Sequence, residues 1–333
     1  MKSPTEFNSL LELMNYFDTE EKCLQYIEQI RWNGSPVCTT CFSEKIYRFK
    51  DGKRLKCADC KTEFTAKVGT IFQNSKLPMI KWFMGMYLVS CHKKGISTYD
   101  LADDLEITQK TAWFLQQRIR KLLEQDDTII LEGTVQCDES FVGGKNKNRH
   151  KDKKVRNSQG RSFIDKTPVL GMVQQQETEI VEREHKIIKG RTVKEKRITK
   201  KAFVKCKVIA STQAEAIQPV LKDNIKEGSK IYTDEWKGYN GTENHFDRSY
   251  VDHGKGQYVN GEVTSNAAEN VWSQLKRSIF GIHHWVSKKH LQKYVDECTF
   301  KFNTCKFNNG HRINLMMANI SGSQPYKKLI QNG

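Results

Sequence analysis

The chain has no uninterrupted apolar run of the length a membrane-spanning helix needs, about 20 residues, which excludes an integral membrane protein of the helical kind. Its first stretch lacks an apolar core and carries Glu6, Glu12, Asp18, Glu20 and Glu21 instead. No secretory signal is predicted from that pattern, and a cytoplasmic location is. Internal repeats and long low-complexity tracts are missing too. Negative charge is scarce: 39 Asp and Glu stand against 55 Lys and Arg, for a formal net charge of +16. Such a balance calls for a polyanionic partner, nucleic acid first and an acidic membrane surface second. What is present is ordinary globular material. The apolar fraction of 37% is enough to build cores and excludes global disorder, and 333 residues predict two or three structural units.

Ten cysteines would suggest disulfides in a small secreted chain, but four of them fall in two tight pairs, Cys38–Cys41 and Cys57–Cys60. The other six are scattered in apolar contexts, which fits a reducing compartment and one metal site. Each C-x2-C turn aims two thiolates at one point, and two such turns complete the tetrahedron that zinc accepts. The residues between them alternate as a strand pair with a turn at Asp51-Gly52, the pattern of a zinc ribbon. A closed four-cysteine site leaves no position open for catalysis, so structural zinc is expected at Cys38, Cys41, Cys57 and Cys60. Ribbons bind DNA, RNA or protein, and the spacing does not choose among these.

A long apolar helix is expected from Pro78, closed by Gly95. Ser97–Leu105 then reads as a short helix, Ile107-Thr108 as a turn, and Gln109–Leu123 as a second helix carrying Lys110, Gln116, Gln117, Arg118, Arg120 and Lys121. Helix, short turn and polar-basic helix is the helix-turn-helix layout. Lys110, Gln117, Arg118 and Lys121 are the expected DNA-contacting residues, on the exposed side of the second helix.

From Gly133 the pattern changes to strands: Thr134–Val142, Val169–Gln174, Glu179–Ile188, Phe203–Ala210, a helix at Gln213–Ile225, then Lys230–Asp234 and Tyr250–His253. A mixed α/β unit follows from that alternation. Asp138 lies in an otherwise apolar strand, Asp234 ends the strand after the crossover helix, and Glu269 sits on the last helix of the set. That helix, Thr264–Gly281, has Asn266, Glu269, Asn270, Ser273, Lys276 and Arg277 on one side and Ala268, Val271, Trp272, Leu275 and Ile279 on the other. Asn266 and Glu269 also make a capping-box-like pair, which need not exclude ligation.

Three converging carboxylates repel one another unless a cation neutralises them, and hard oxygen ligands select magnesium or manganese. Two such ions about 3.5–4 Å apart suit in-line phosphoryl displacement. Lys276 and Arg277 are placed to hold a phosphate of the same strand. Glu139, beside Asp138, is the rival ligand, but strand alternation points it to the opposite face.

These stretches carry a resemblance. The two C-x-x-C pairs, Val68-Gly-Thr-Ile-Phe72, Lys110-Thr-Ala-Trp113, Val135–Gly144, Thr233-Asp-Glu235 with Tyr239, Ser265–Arg277 and Gly281–Asn303 resemble the bacterial insertion-sequence DDE transposases with an N-terminal zinc ribbon, the ISXO-like group. The likeness runs over roughly residues 20–310 in the expected order. It implies a ribonuclease-H-like catalytic domain that cleaves and joins transposon ends. It also implies Asp138 and Asp234 as the first two acids and Glu269 with Lys276 as the helix pair. Asn266 is the alternative third ligand. Gln136 departs from the family, which often has an acid there.

The expected organisation is therefore N-terminal helices and zinc ribbon at 1–72, a helix-turn-helix region at 73–128, a ribonuclease-H-like catalytic domain at 129–310 and a tail at 311–333. Two basic runs, Lys145 to Arg161 and Lys186 to Lys201, are expected to be loops that bind phosphate. His253 is a minor candidate for phosphate contact or proton transfer. The resemblance implies a nucleoid-associated DNA transposase using zinc and magnesium or manganese, acting as a homodimer or larger assembly on double-stranded DNA. A DNA-binding regulator and a stand-alone nuclease are the alternatives.

Overall fold

The computed structural model describes residues 7–143, 150–154, 166–184, 192–251, 259–260, 263–264 and 266–331. His253, Lys145, Lys147, Arg149, Arg156 and Arg161 lie outside that set, as does the side chain of Asn266. The chain divides into two compact units, Met1–Glu124 with Thr304–Gly333, and Gln125–Asn303. No helix among the described residues is long and apolar enough to cross a membrane.

The first unit opens with α1 (Leu10–Tyr16) and α2 (Glu20–Trp32), whose N-caps Ser9 and Thr19 accept from the backbone N–H of Glu12 and Lys22. A three-stranded antiparallel sheet follows: β1 (Ile46–Arg48), β2 (Arg54–Cys57) and β3 (Glu63–Thr65). The expected strand pair is there, with a third strand added. Its first turn is pinned by Asp51, whose carboxylate accepts from the N–H groups of Lys53 and Arg54. Gly52 supplies the positive φ that the turn needs.

Next come α3 (Met79–Cys91), α4 (Thr98–Asp104) and α5 (Gln109–Leu122). Ser97 and Thr108 cap the last two, accepting from Asp100 and Thr111. Trp82, Phe83 and Met86 of α3 are fully buried with Leu115 and Ile119 of α5.

In the second unit, β4 (Thr134–Gly143), β5 (Lys166–Gln174), β6 (Glu177–Glu184), β7 (Thr192–Lys200) and β8 (Phe203–Val208) precede α6 (Ala214–Asn224). Then come β9 (Lys230–Asp234), β10 (Asp247–Val251), the short pair β11 (Val259–Asn260) and β12 (Val263–Thr264), α7 (Asn266–Ser278) and α8 (Leu291–Asn303). A five-stranded mixed sheet has the order β10-β9-β4-β5-β8. Strands β4, β5 and β8 run antiparallel in turn, and β9 and β10 run parallel to β4. Each face carries its own core. Val135, Cys137, Leu170 and Met172 pack with Ile217 and Leu221 of α6 and with Tyr239. On the other face Val142, Val169, Val173 and Val204 pack with Ala268, Val271, Trp272 and Leu275 of α7. The apolar side of α7 read from the sequence is the side that meets this sheet.

Strands β6 and β7 form a separate two-stranded ribbon. This corrects one expectation: residues 192–200 of the second basic run are a paired strand, not a loop. Its bases find acids across the ladder, as in Arg183–Glu195 at 2.7 Å and Lys200–Glu177 at 3.3 Å.

The chain then returns to the first unit through α9 (Asn309–Ala318) and α10 (Tyr326–Ile330). Asn314 of α9 bonds the Tyr26 hydroxyl, Arg312 donates to the Ser90 carbonyl at 3.0 Å, and Ile71 N–H donates to the Ile320 carbonyl at 3.0 Å. The segment expected as a tail, 311–333, thus contributes most of α9 and all of α10 to this unit.

Candidate functional sites

The four cysteines of the two knuckles meet. Their sulfurs all lie within 4.8 Å of one another, with Cys38–Cys60 and Cys41–Cys57 at 3.5 Å. A tetrahedral zinc site with Zn–S bonds of about 2.3 Å would hold its sulfurs roughly 3.8 Å apart, so the donor set and its spacing fit that ion. The loops are shaped for it: Cys38 N–H donates to the Ser43 carbonyl and Cys57 N–H to the Thr62 carbonyl, both at about 3 Å.

The second cluster is built from the sheet. Asp138, Glu139 and Asp234 bring carboxylate oxygens within 4.8 Å of one another. Its position follows from the register. Strands β4 and β9 pair only from Thr134–Lys230 to Gln136–Tyr232. Asp138 and Asp234 therefore stand just beyond the last pair, where the ladder no longer joins the two strands and side chains from both can meet.

Glu139 corrects the sequence reading. Alternation does hold along β4: Val135 and Cys137 belong to the core with α6 and Tyr239, and Glu139 follows them on that face. Yet its carboxylate still reaches Asp138 and Asp234, because beyond the last ladder pair the two faces are no longer separated by hydrogen-bonded backbone. Burial, with Glu139 beside it, holds the Tyr239 phenol well above its ordinary value.

Asp138 is held from several sides. Its Oδ2 accepts from Trp272 Nε1 at 2.8 Å, and its Oδ1 accepts from the Glu139 N–H at 2.9 Å. Burial pushes its carboxyl above the ordinary value; the Trp272 bond opposes this, and the charges of Asp234 and Glu269 add to it. Trp272 reaches Asp138 because Gly171, its register partner on β5, has no side chain. A Cβ there would lie 2.6 Å from the indole Cζ2.

Asp234 is fixed from behind. Its Oδ1 accepts from Trp236 N–H at 3.0 Å, and Trp236 Nε1 donates to the Thr212 carbonyl at 2.7 Å. Gly238 is required for that approach, since a Cβ would sit 2.5 Å from the same carbonyl oxygen. Arg248, its side chain almost wholly buried, donates to Thr233 Oγ1, to the Asp234 carbonyl, to Asn240 and to Glu243.

Helix α7 is tethered to the same strand. The side-chain oxygen of buried Gln136 accepts from Ala267 N–H at 3.1 Å and Ala268 N–H at 3.4 Å, satisfying donors of the first turn. The amide at this departure from the family pattern thus has a structural task. Glu269 is exposed on that turn. Its charge reaches Asp138, but its carboxylate is outside the group formed by Asp138, Glu139 and Asp234. Lys276 and Arg277 are exposed two turns on. The roles of Trp272, Gln136 and Arg248 are not read from the sequence: the indole of Trp272 is read as core alone, Gln136 only as a departure from the family, and Arg248 is not singled out.

The helix pair α4–α5 is present, and one expectation about it fails. Gln116, Gln117, Arg118 and Arg120 are buried, not exposed. Arg118 donates to the Gln73 carbonyl at 2.7 Å and the Gln324 carbonyl at 3.2 Å, and lies over the Phe114 ring. Burial pulls its guanidinium down to about 10. Arg118, and Gln116 through a 2.7 Å bond to the Ile96 carbonyl, satisfy backbone carbonyls of neighbouring segments, and burial withdraws Gln117 together with Arg118 from any docking surface. Lys110 remains exposed and Lys121 half-buried, 3.1 Å from Glu124.

Comparison with known proteins agrees with this layout. Residues 130–303 match the ISXO2-like transposase domain, and residues 18–63 match the transposase zinc-ribbon domain. A protein of Halobacterium salinarum, described as an uncharacterized protein in transposable element ISH50, is 28% identical over 290 residues, 84% of this chain and 89% of that one. An uncharacterized transposase-like protein of Haemophilus influenzae is 23% identical over 125 residues, 36% of this chain and 98% of its own length. No solved structure matches. With the family model spanning the whole carboxylate-bearing unit and a second model spanning the cysteine knuckles, the chain belongs to the IS1595 family of ISXO2-like transposases.

Proposed function

We propose that this protein cuts DNA at transposon ends and joins the freed 3′-hydroxyls to target DNA, by divalent-metal-dependent phosphoryl transfer. The observation that carries the reading is the convergence of Asp138, Glu139 and Asp234 at the open end of the β4–β9 ladder. Family membership gives that cluster its chemical context. The sheet order, with three antiparallel strands and two more parallel to the first, is what a ribonuclease-H-like domain would have and supports that assignment.

An all-oxygen, mutually repelling donor set fits magnesium or manganese. Such ions, when bound, would activate the attacking hydroxyl and stabilise the leaving oxygen. Asp138 and Asp234 are the assigned ligands, with Glu269 from α7 completing the set and Asn266 as the alternative on the same turn. Glu139 is close enough to add a fourth carboxylate. Trp272 and Arg248 hold the two aspartates in place, so little reorganisation is needed when the cluster is engaged. Lys276 and Arg277, exposed on α7, would grip a phosphate of the strand being cut. The pair α4–α5 serves as the helix-turn-helix, contacting double-stranded DNA through Lys110 and Lys121, and zinc fixes the ribbon. The active form is a homodimer or larger assembly on DNA.

The test is purified protein with labelled terminal-repeat DNA, a target plasmid, and magnesium or manganese. Wild type should yield nicked ends and joined products, while Asp138→Asn, Asp234→Asn and Glu269→Gln each bind without cutting. Cutting that survives Glu269→Gln but is lost in Glu139→Gln or Asn266→Ala would move the third ligand to that residue. Cleavage without joining would make the protein a nuclease, and binding without either would make it a regulator.

A further inference from the structure

The β6–β7 ribbon extends the β5–β8 hairpin beyond the main sheet and is exposed along nearly its whole described length. A lone two-stranded ribbon is marginal in water, and an uncovered one with apolar residues is a surface awaiting a partner. The register sorts its side chains. Thr178–Ile198, Ile180–Lys196 and Glu182–Lys194 are cross-strand pairs on one face; Glu179–Arg197 and Val181–Glu195 lie on the other. Ile180 and Ile198 are thus diagonal neighbours on a single face, and they are 64% and 47% exposed.

Charge decides what kind of partner fits. Strand β6 carries Glu177, Glu179, Glu182 and Glu184 against Arg183; β7 carries Lys194, Lys196, Arg197 and Lys200 against Glu195. One strand is acidic and the other is basic to the same degree, in a chain whose overall charge is +16. Much of this is already paired within the ribbon, through Glu179–Arg197, Glu182–Lys194, Arg183–Glu195 and Glu177–Lys200. A neutral, internally paired surface offers no drive for counterion release and is a poor phosphate binder. Charges along both edges also oppose strand addition, which leaves the isoleucine face.

We propose that this face is a self-association surface that takes the same ribbon of a second copy of this chain. A two-fold axis parallel to the strands stacks the two isoleucine faces, brings Ile180 of each copy beside Ile198 of the other and lays Glu182 of each over Lys194 of the other, an isologous and self-complementary contact. The proposal deepens the reading that copies of this protein assemble, and it does not depend on the strand-transfer chemistry.

The experiment is sedimentation velocity of full-length protein without DNA over a wide concentration range. Wild type is compared with Ile180→Glu, with Ile198→Glu, and with a variant whose residues 177–200 are replaced by a short Gly-Asn turn. Wild type should form a dimer; each glutamate should weaken it about tenfold or more, and the shortened variant should be monomeric. Far-UV circular dichroism and zinc content report that each variant is folded. Wild type that stays monomeric throughout overturns the proposal. So does a dimer of unchanged affinity in the point variants and the shortened form. Unchanged mass with weakened binding to terminal-repeat DNA would make the ribbon a nucleic-acid contact instead. Wild type that dimerises but neither cuts nor joins DNA would count against the active-site reading and leave this surface standing.

Discussion

The two clusters of ligand-type residues among the described residues are assembled on opposite principles. The four cysteines come from two neighbouring turns, and little besides the turns holds them together. Their packing partners are few: Leu55, Phe64 and the flanking Trp32, Ile46 and Val68. The carboxylates come from strands far apart in the chain and are backed by a full α/β core on each face of the sheet. An ion in the first place is part of the fold, because the small ribbon lacks the apolar area to order itself. An ion held in the second place would enter a site that the protein has already built. One cluster makes its ribbon possible, and the other is carried by its unit.

Zinc removal draws this contrast most strongly. Stripping with a chelator, or Cys38→Ser, should cost the ribbon on the order of 10 kcal/mol of metal-linked folding energy and melt β1–β3. Magnesium-free buffer should leave the Gln125–Asn303 unit folded. Amide exchange resolved along the chain would read both, and a ribbon that stays protected without zinc would break the comparison.

Gly171→Ala should come next. The added methyl must displace the Trp272 indole and its bond to Asp138, costing about 1–3 kcal/mol in stability. Cleavage of terminal-repeat DNA should fall about 100-fold from the loss of positioning. Unchanged thermal melting and unchanged cleavage together would remove Trp272 from the site.

Gln136→Met keeps the volume but leaves the Ala267 and Ala268 donors unmet, at a cost of about 1–2 kcal/mol in thermal unfolding. The smallest effect has the opposite sign. Asp138→Asn removes one of the repelling carboxylates while keeping an acceptor for Trp272, and should stabilise the metal-free protein by about 1 kcal/mol as cleavage is lost. A destabilised Asp138→Asn protein would show that the acid cluster holds its own unit together after all.

Legibility from sequence followed the range of the interactions. The knuckles could be read because each pair of thiols is fixed by its own turn. Asp138 and Asp234 stood out as acids in or ending apolar strands. Glu139 was placed on the wrong side of the site because alternation fixes where a side chain leaves the backbone, not where a long one ends once the ladder has stopped. Arg118 looks like part of a solvated helix face until the carbonyls of Gln73 and Gln324, remote in sequence, come to need donors. The basic run at Lys194–Lys200 resembled a loop for a related reason: its acids lie across a ladder whose register no local pattern reveals.

The return of the chain at Thr304 has a consequence for synthesis. Residues 125–303 form a complete unit in one continuous stretch, whereas the first unit needs α9 and α10 to close contacts such as Ile71–Ile320 and Arg118–Gln324. On the ribosome, the segment made second can therefore finish folding before the segment made first. The nascent N-terminal unit must wait, partly open, until the last thirty residues (304–333) emerge. A truncation within α9 should accordingly spare the carboxylate-bearing unit and leave the older part of the chain exposed to proteolysis.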